Sequence, residues 1–181
     1  TTYDILPGDP LQTGQSINRF NWGMLEPSPG SYSFSQLDTA LALSASAGKP
    51  VRLKIEAGEK APSWLGGPPF SVPTYHVVVT KREFDTYYVW HPTYVDRLTR
   101  FLAALGAHLD SPSHPYRATI VGISVPSGPA FAEMITPGWA AAFSDAQDPP
   151  PAYTKAAYAD AWKRSVDSMI SAFPTIPLMI N

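Results

Sequence analysis

Cysteine is absent, which excludes disulfides, thiolate metal sites and cysteine nucleophiles. Charge is sparse: 15% of residues are charged and the formal net charge is −2. There is no basic run or basic helix to attract a phosphate backbone or an anionic lipid surface, so neither nucleic acid nor membrane is expected as a partner. No apolar stretch approaches the roughly 20 residues of a membrane span. The phosphate-cradling patterns G-x-G-x-x-G and the P-loop are missing, and no cofactor is expected. A serine nucleophile has no G-x-S-x-G elbow, since Ser124-Val-Pro-Ser127 lacks its glycines. His76, His91, His108 and His114 form no H-x-x-x-H pair or other ligand spacing, so no metal site is expected. A signal peptide is also missing and Thr1 is not a start methionine, so the expectation is a removed leader or a larger parent chain. Secreted and cytoplasmic locations both stay open.

What is present is proline and aromatic side chains. Proline supplies 20 of 181 residues, about twice the usual share. Aromatics make up 12%. Proline fixes φ and removes a hydrogen-bond donor, so stiff loops are expected, and stiff aromatic loops suit a binding cleft. Apolar residues at 44% place the chain among globular proteins, long enough for one domain with a core.

Periodicity gives four strands and three helices. Strands are expected over residues 17–22, 51–56, 119–125 and 177–181. In the second, Val51, Leu53 and Ile55 alternate with Arg52, Lys54 and Glu56. A first helix is expected from Ser35, read as its N-cap with Asp38 as a weak capping box, to Gly48 and Pro50. Its buried stripe is Leu37, Ala40, Leu41, Ser44 and Ala45. The second helix spans 93–109 with Val95, Leu98, Phe101, Leu102, Leu105 and Leu109 on one face. The third spans 154–173, with Tyr158, Trp162, Val166, Met169, Ile170 and Phe173 as its stripe. Between the second strand and second helix lies a long aromatic stretch, read as a functional loop with one short strand at 76–80. Alternating strands and helices imply a parallel sheet. A doubly wound sheet and part of a (β/α)8 barrel both fit. The missing glycine-rich turn and the polar face of residues 51–56 favour the barrel, with Arg52, Lys54 and Glu56 on its concave side. A complete barrel needs about 250 residues, so this α/β chain is expected to supply roughly the first half of a TIM barrel, as a single domain over 1–181.

The most specific stretch is Phe20-Asn-Trp-Gly-Met-Leu-Glu-Pro-Ser-Pro-Gly-Ser-Tyr-Ser-Phe34 with Leu37-Asp38, followed by Gly48-Lys-Pro-Val-Arg-Leu-Lys-Ile-Glu56 and Ala61-Pro-Ser-Trp-Leu65. It resembles two consecutive strand–loop units of clan-A glycoside hydrolases, especially the family 42 β-galactosidases and family 10 xylanases. The resemblance covers residues 17–65 and continues more loosely through Trp90-His-Pro-Thr-Tyr94. It implies a (β/α)8 barrel, an oligo- or polysaccharide substrate, and acid/base catalysis by two glutamates. In that clan the acid is a Glu after an Asn at a strand end. Here the matching pair falls on Ser127-Gly128, a departure that puts catalysis in doubt. The nearest carboxylate is Glu133, the candidate proton donor, with the second carboxylate expected outside the chain. Candidate sugar contacts are Asn21, Trp22, Lys54, Glu56, Trp64, Trp90, His91, Phe131, Trp139 and Asn181. Glu26 reads mainly as part of a structural turn. The alternative is a non-catalytic carbohydrate-binding or degenerate half-barrel. A half-barrel leaves open sheet edges, so self-association or a second polypeptide completing the barrel is expected.

Overall fold

The computed structural model describes residues 15–79, 82–125 and 151–179. Its centre is a parallel sheet of β1 (Gln15–Asn21), β2 (Val51–Glu56) and β5 (Ile120–Ser124), in that spatial order. A parallel bridge from Ile123 to Leu178 marks where the expected fourth strand joins. Val51, Leu53 and Ile55 are fully buried, whereas Arg52 is exposed and Lys54 and Glu56 are half-buried. The period of two thus separates an apolar face packed into the core from a polar face, as the barrel reading requires.

Helices cover the apolar side. After the one-turn helix α1 (Trp22–Leu25), α2 (Ser35–Ser46) buries Leu37, Ala40, Leu41 and Ser44. Gly48 lies at φ +65°, and its N–H and that of Lys49 close on the carbonyls of Ala45 and Ser44, a Schellman ending that needs glycine. The expected capping box at Ser35 does not form. Phe34 is the N-cap, without a side-chain hydrogen bond, and Asp38 is drawn instead to His108 and His114. A carboxylate with imidazole N–H partners has little reason to turn back to its own helix end.

The long stretch before the second helix contains an antiparallel hairpin, β3 (Thr74–Val79) with β4 (Arg82–Tyr87), rather than one short strand. The second strand was obscured by charge, because Glu83 and Asp85 are exposed while Phe84 is half-buried and Thr86 buried. Helix α3 (Pro92–Leu109) buries all six residues of its expected stripe. Helix α4 (Lys155–Ala172) starts at Thr154, whose hydroxyl accepts from the Ala157 N–H at 3.0 Å. Its buried face keeps Met169 and Phe173 of the expected stripe and departs from it elsewhere. Ala161, Ser165 and Met169 are buried, Trp162 and Val166 only partly so, and Ile170 is 56% exposed. The cause is close approach: α4 packs along α3 with Gly106 against Ala172, and small residues share the buried face with Met169 and Phe173.

Gly106 shows how close that seam is. A Cβ there would meet the Ala172 carbonyl oxygen at 2.1 Å and its carbonyl carbon at 2.7 Å. Both are backbone, so Gly106→Ala must push the helices apart. The expected loss is about 1–3 kcal/mol in urea unfolding, and an unchanged midpoint would show that the seam is not tight.

Just beyond α3, the Asp110 carboxylate accepts from Arg117 Nε at 2.5 Å, from the Thr175 N–H at 2.8 Å and from the Thr175 hydroxyl. This ties together the ends of α3 and α4 and the approach to β5. Burial pushes the Asp110 pKa up, but the bonds from Thr175 and Arg117 outweigh it and hold the carboxyl below its ordinary value. An unfolded Asp titrates near ~3.9. The stabilisation is therefore complete above that pH and disappears as pH falls through the lower folded value. Asp110→Asn should be less stable at neutral pH and lose less further stability on acidification below about pH 4. Equal acid sensitivity in urea melts of both proteins would refute this.

Candidate active site

Barrel sites lie at the carboxyl ends of the strands. Here β1 ends at Asn21 and β2 at Glu56, and these two residues are direct register partners. Lys54 is the register partner of Ser124 in β5. Residues in register on parallel strands face the same way, so the half-buried Asn21, Lys54 and Glu56 line one polar surface, with the fully buried Ser124 beneath it on the same face. Burial raises the Glu56 pKa, opposed by the positive charges of Lys54 and Lys60 and reinforced by Glu59. Such a group keeps a proton to higher pH than a free glutamate. Beside it, Lys60 lies 3.5 Å from the Glu59 carboxylate.

The other candidates separate clearly. The Asn21 side chain accepts from the Met24 N–H at 2.9 Å and so caps α1, while its residue stays half-buried at the strand end. Trp22 is fully buried, with its ring stacked on Phe101 and edge-on to Trp64 and Tyr94. That ring has no face left for a sugar. Trp90 is 4% exposed, stacked on Tyr88, and its indole N–H donates to the Pro151 carbonyl at 2.8 Å. It belongs to an aromatic cluster with Tyr75 and Tyr153 rather than to an open surface. His91 caps α3, its Nδ1 accepting from the Thr93 N–H at 3.2 Å, and burial lowers its pKa. Trp64 keeps part of its surface. Glu133, Phe131, Trp139 and Asn181 lie outside the described residues.

Two arrangements escaped the sequence reading. The first surrounds Glu26, which is fully buried. Its Oε2 accepts from the Trp22 indole N–H at 2.7 Å, and its Oε1 from the Gly30 N–H at 2.8 Å and Arg97 Nη2 at 3.3 Å. The Arg97 guanidinium also lies over the rings of Trp64 and Phe70, at 5.2 and 5.0 Å from their centroids. The second brings Asp38, His108 and His114 together across 70 and 76 residues of sequence. The Trp22 and Gly30 contacts of Glu26 are local, at four residues each, but no local spacing signals Arg97 or the second arrangement.

Compared with solved structures, the chain has the fold of part of a (β/α)8 barrel. It aligns over 91% of its length with 39% of the endo-glycoceramidase II of Rhodococcus sp., at TM-score 0.53 and 15% identity. It aligns over 92% with 30% of the cold-adapted β-galactosidase of Rahnella sp. R3, at TM-score 0.55 and 15% identity. A psychrophilic family 10 endo-β-1,4-xylanase gives TM-score 0.50 and 12% identity, with 92% and 44% of the two chains covered. The chain thus spans less than half the length of each. More particularly, residues 13–73 match the glycoside hydrolase family 42 model, described as beta-galactosidase. No curated protein matches the sequence. Among the described residues, no helix is long and apolar enough to cross a membrane.

The Glu26 network makes a prediction about stability. Removing one partner of a buried ion pair strands the other, typically at a cost of about 3–5 kcal/mol. Glu26→Ala leaves Arg97, 13% exposed in its side chain, and the Trp22 N–H without this acceptor. Urea unfolding should show a loss of about 3–5 kcal/mol for Glu26→Ala and less for Glu26→Gln, which keeps an acceptor. A loss under about 1 kcal/mol, as for a surface pair, would deny the network its structural role.

Proposed function

We propose that the chain forms part of the catalytic domain of a glycoside hydrolase acting on an oligo- or polysaccharide through a pair of glutamates. The observation that carries this reading is the family 42 match over residues 13–73. That segment contains the strand ends bearing Asn21, Lys54 and Glu56 on one polar surface. In this reading Asn21, Lys54 and Glu56 bind sugar hydroxyls, and Trp64 offers the remaining aromatic edge. Glu133 donates the proton to the leaving oxygen, and its partner carboxylate comes from a later strand. A general acid at working pH needs a raised pKa, which Phe131, Met134 and Trp139 as apolar sequence neighbours would favour. Ser127-Gly128, standing where the clan has Asn-Glu, supports a second reading: a degenerate barrel that binds carbohydrate without cleaving it.

The two readings part on Glu133→Gln, made in the protein expressed from its complete reading frame. The substitution keeps size and removes the proton. Hydrolysis of glycosides with poor leaving groups should fall by about 10²–10⁴. Activated aryl glycosides should suffer less, because their leaving groups need little protonation. Near-wild-type rates on both would deny Glu133 the proton-donor role, and sugar binding without any hydrolysis by the wild type would establish the second reading.

A further inference from the structure

We propose that Asp38, His108 and His114 form a binding site for one Zn²⁺ ion, at the end of the sheet opposite the candidate active site. His108 stands in the last turn of α3 and His114 in the loop that leads, through the 3₁₀ turn Arg117–Thr119, to the first residue of β5. The cluster therefore sits at the amino ends of the strands, whereas Asn21 and Glu56 end theirs. It does not depend on the glycosidase reading.

The geometry is that of converging ligands. His108 Nε2 lies 2.7 Å and His114 Nε2 3.1 Å from the same Asp38 oxygen, Oδ1. One potential ligand atom from each of the three residues lies within 4.8 Å of the others. In a tetrahedral zinc shell with bonds near 2.0–2.2 Å, neighbouring ligand atoms are separated by about 3.3 Å. To admit the ion, the two His–Asp separations widen by a few tenths of an ångström, and the two imidazole nitrogens, within 4.8 Å of each other, settle to the same spacing.

The rings are already held. Phe34 stacks on His108 at 4.6 Å, and His114 is edge-on to His108 at 4.8 Å and to Tyr116 at 5.8 Å. The His114 side chain is 5% exposed, while His108 and Asp38 are 27% and 34% exposed. The site is thus walled on one side and open on the other, where water can complete the shell. Two imidazoles and a carboxylate are a ligand set zinc accepts, and one oriented toward a divalent, borderline-soft ion.

The metal-free arrangement has its own hydrogen bonds. His114 Nδ1 accepts weakly from the Tyr116 N–H at 3.3 Å, which puts the ring proton on Nε2, toward Asp38. Zinc on Nε2 requires that proton to leave the ring or move to Nδ1, giving up the Tyr116 contact. Uptake is therefore coupled to the release or relocation of that proton. Among the described residues, the exposed His76 with Asp85 at 2.9 Å and Glu83 at 3.9 Å is the competing surface group.

The test is titration of the intact protein, stripped of metal, with Co²⁺ followed by its visible bands and then displaced by Zn²⁺. One equivalent should bind, with tetrahedral-type absorption, and Zn²⁺ should raise the melting temperature. Loss of an outer-shell partner commonly costs about 10–100-fold in metal affinity, so His108→Gln and His114→Gln should each cost at least as much. His76→Ala should change nothing. Failure of the wild type to bind either ion overturns the proposal and leaves a hydrogen-bonded triad. So does binding that survives both glutamine variants, or that disappears with His76→Ala. If a variant does not fold, imidazole ¹⁵N spectra of the wild type decide: Zn²⁺ must shift the Nε2 resonances of His108 and His114, and unshifted resonances refute the site.

Discussion

A carboxylate taken out of water is unfavourable by several kcal/mol unless its oxygens are satisfied, and in this fold the buried Glu26 decides the path of everything around it. One oxygen is held by the Trp22 indole, the other by the Gly30 backbone and the Arg97 guanidinium. Its own carbonyl takes the indole N–H of Trp64 at 2.9 Å. A single residue therefore joins the end of β1, the turn that follows, the loop after β2 and helix α3. Gly30 has φ +75°, so its N–H can be presented to the carboxylate only by a backbone conformation that L side chains rarely adopt. The Glu-Pro-x-Pro-Gly run is best understood as the sequence form of that constraint.

The second constraint is the division of β2 between two environments. Val51, Leu53 and Ile55 are fully buried in the core, and the alternate residues carry charge at the polar surface. A one-residue slip in register would bury Arg52, Lys54 and Glu56 and expose the three apolar side chains. Strand register and the polar surface are thus the same fact seen from two sides. Asn21 opposite Glu56, and Lys54 opposite Ser124, follow from the pairing rather than from any separate requirement of the site.

Elements whose burial is written in a strong local period were legible from sequence. The α3 stripe and the β2 alternation are examples, and Gly48 marked the end of α2 through a backbone need that only glycine meets readily. Legibility failed where tertiary contact set the answer. In α4 the apolar stripe pointed to Ile170, yet the seam with α3 admits small residues, so Ala161 and Ser165 are buried and Ile170 is not. Ser35 resembled a cap until Asp38 found partners 70 residues away. The aromatics were the least readable, because a tryptophan suited to stacking on sugar is equally suited to filling a core. Trp22 and Trp90 do the latter. Composition could signal that aromatic surface was abundant but not on which side of the sheet it would be spent.

That distribution bears on how a carbohydrate would be held in the proposed function. Sugar recognition combines apolar stacking with hydrogen bonds to hydroxyls, and the two need not come from the same segment. Over β1 and β2 the stacking rings are turned to internal work: Trp22 supports α3, while Trp64 packs with Phe70 beneath Arg97. What these strands present outward is a short polar row: an amide, an ammonium and a carboxyl with a raised pKa. Such a row orients hydroxyls but gives little apolar area. A substrate bound here would have to draw most of its stacking surface beyond the Trp64 edge, and in this reading its proton, from the residues that follow β5 in sequence, among them Phe131, Glu133 and Trp139. The polar half of the site would then be built on paired strands, and the apolar, proton-donating half on the segment beyond the carboxyl end of β5, the end of a barrel where variation between strands and helices changes the chemistry.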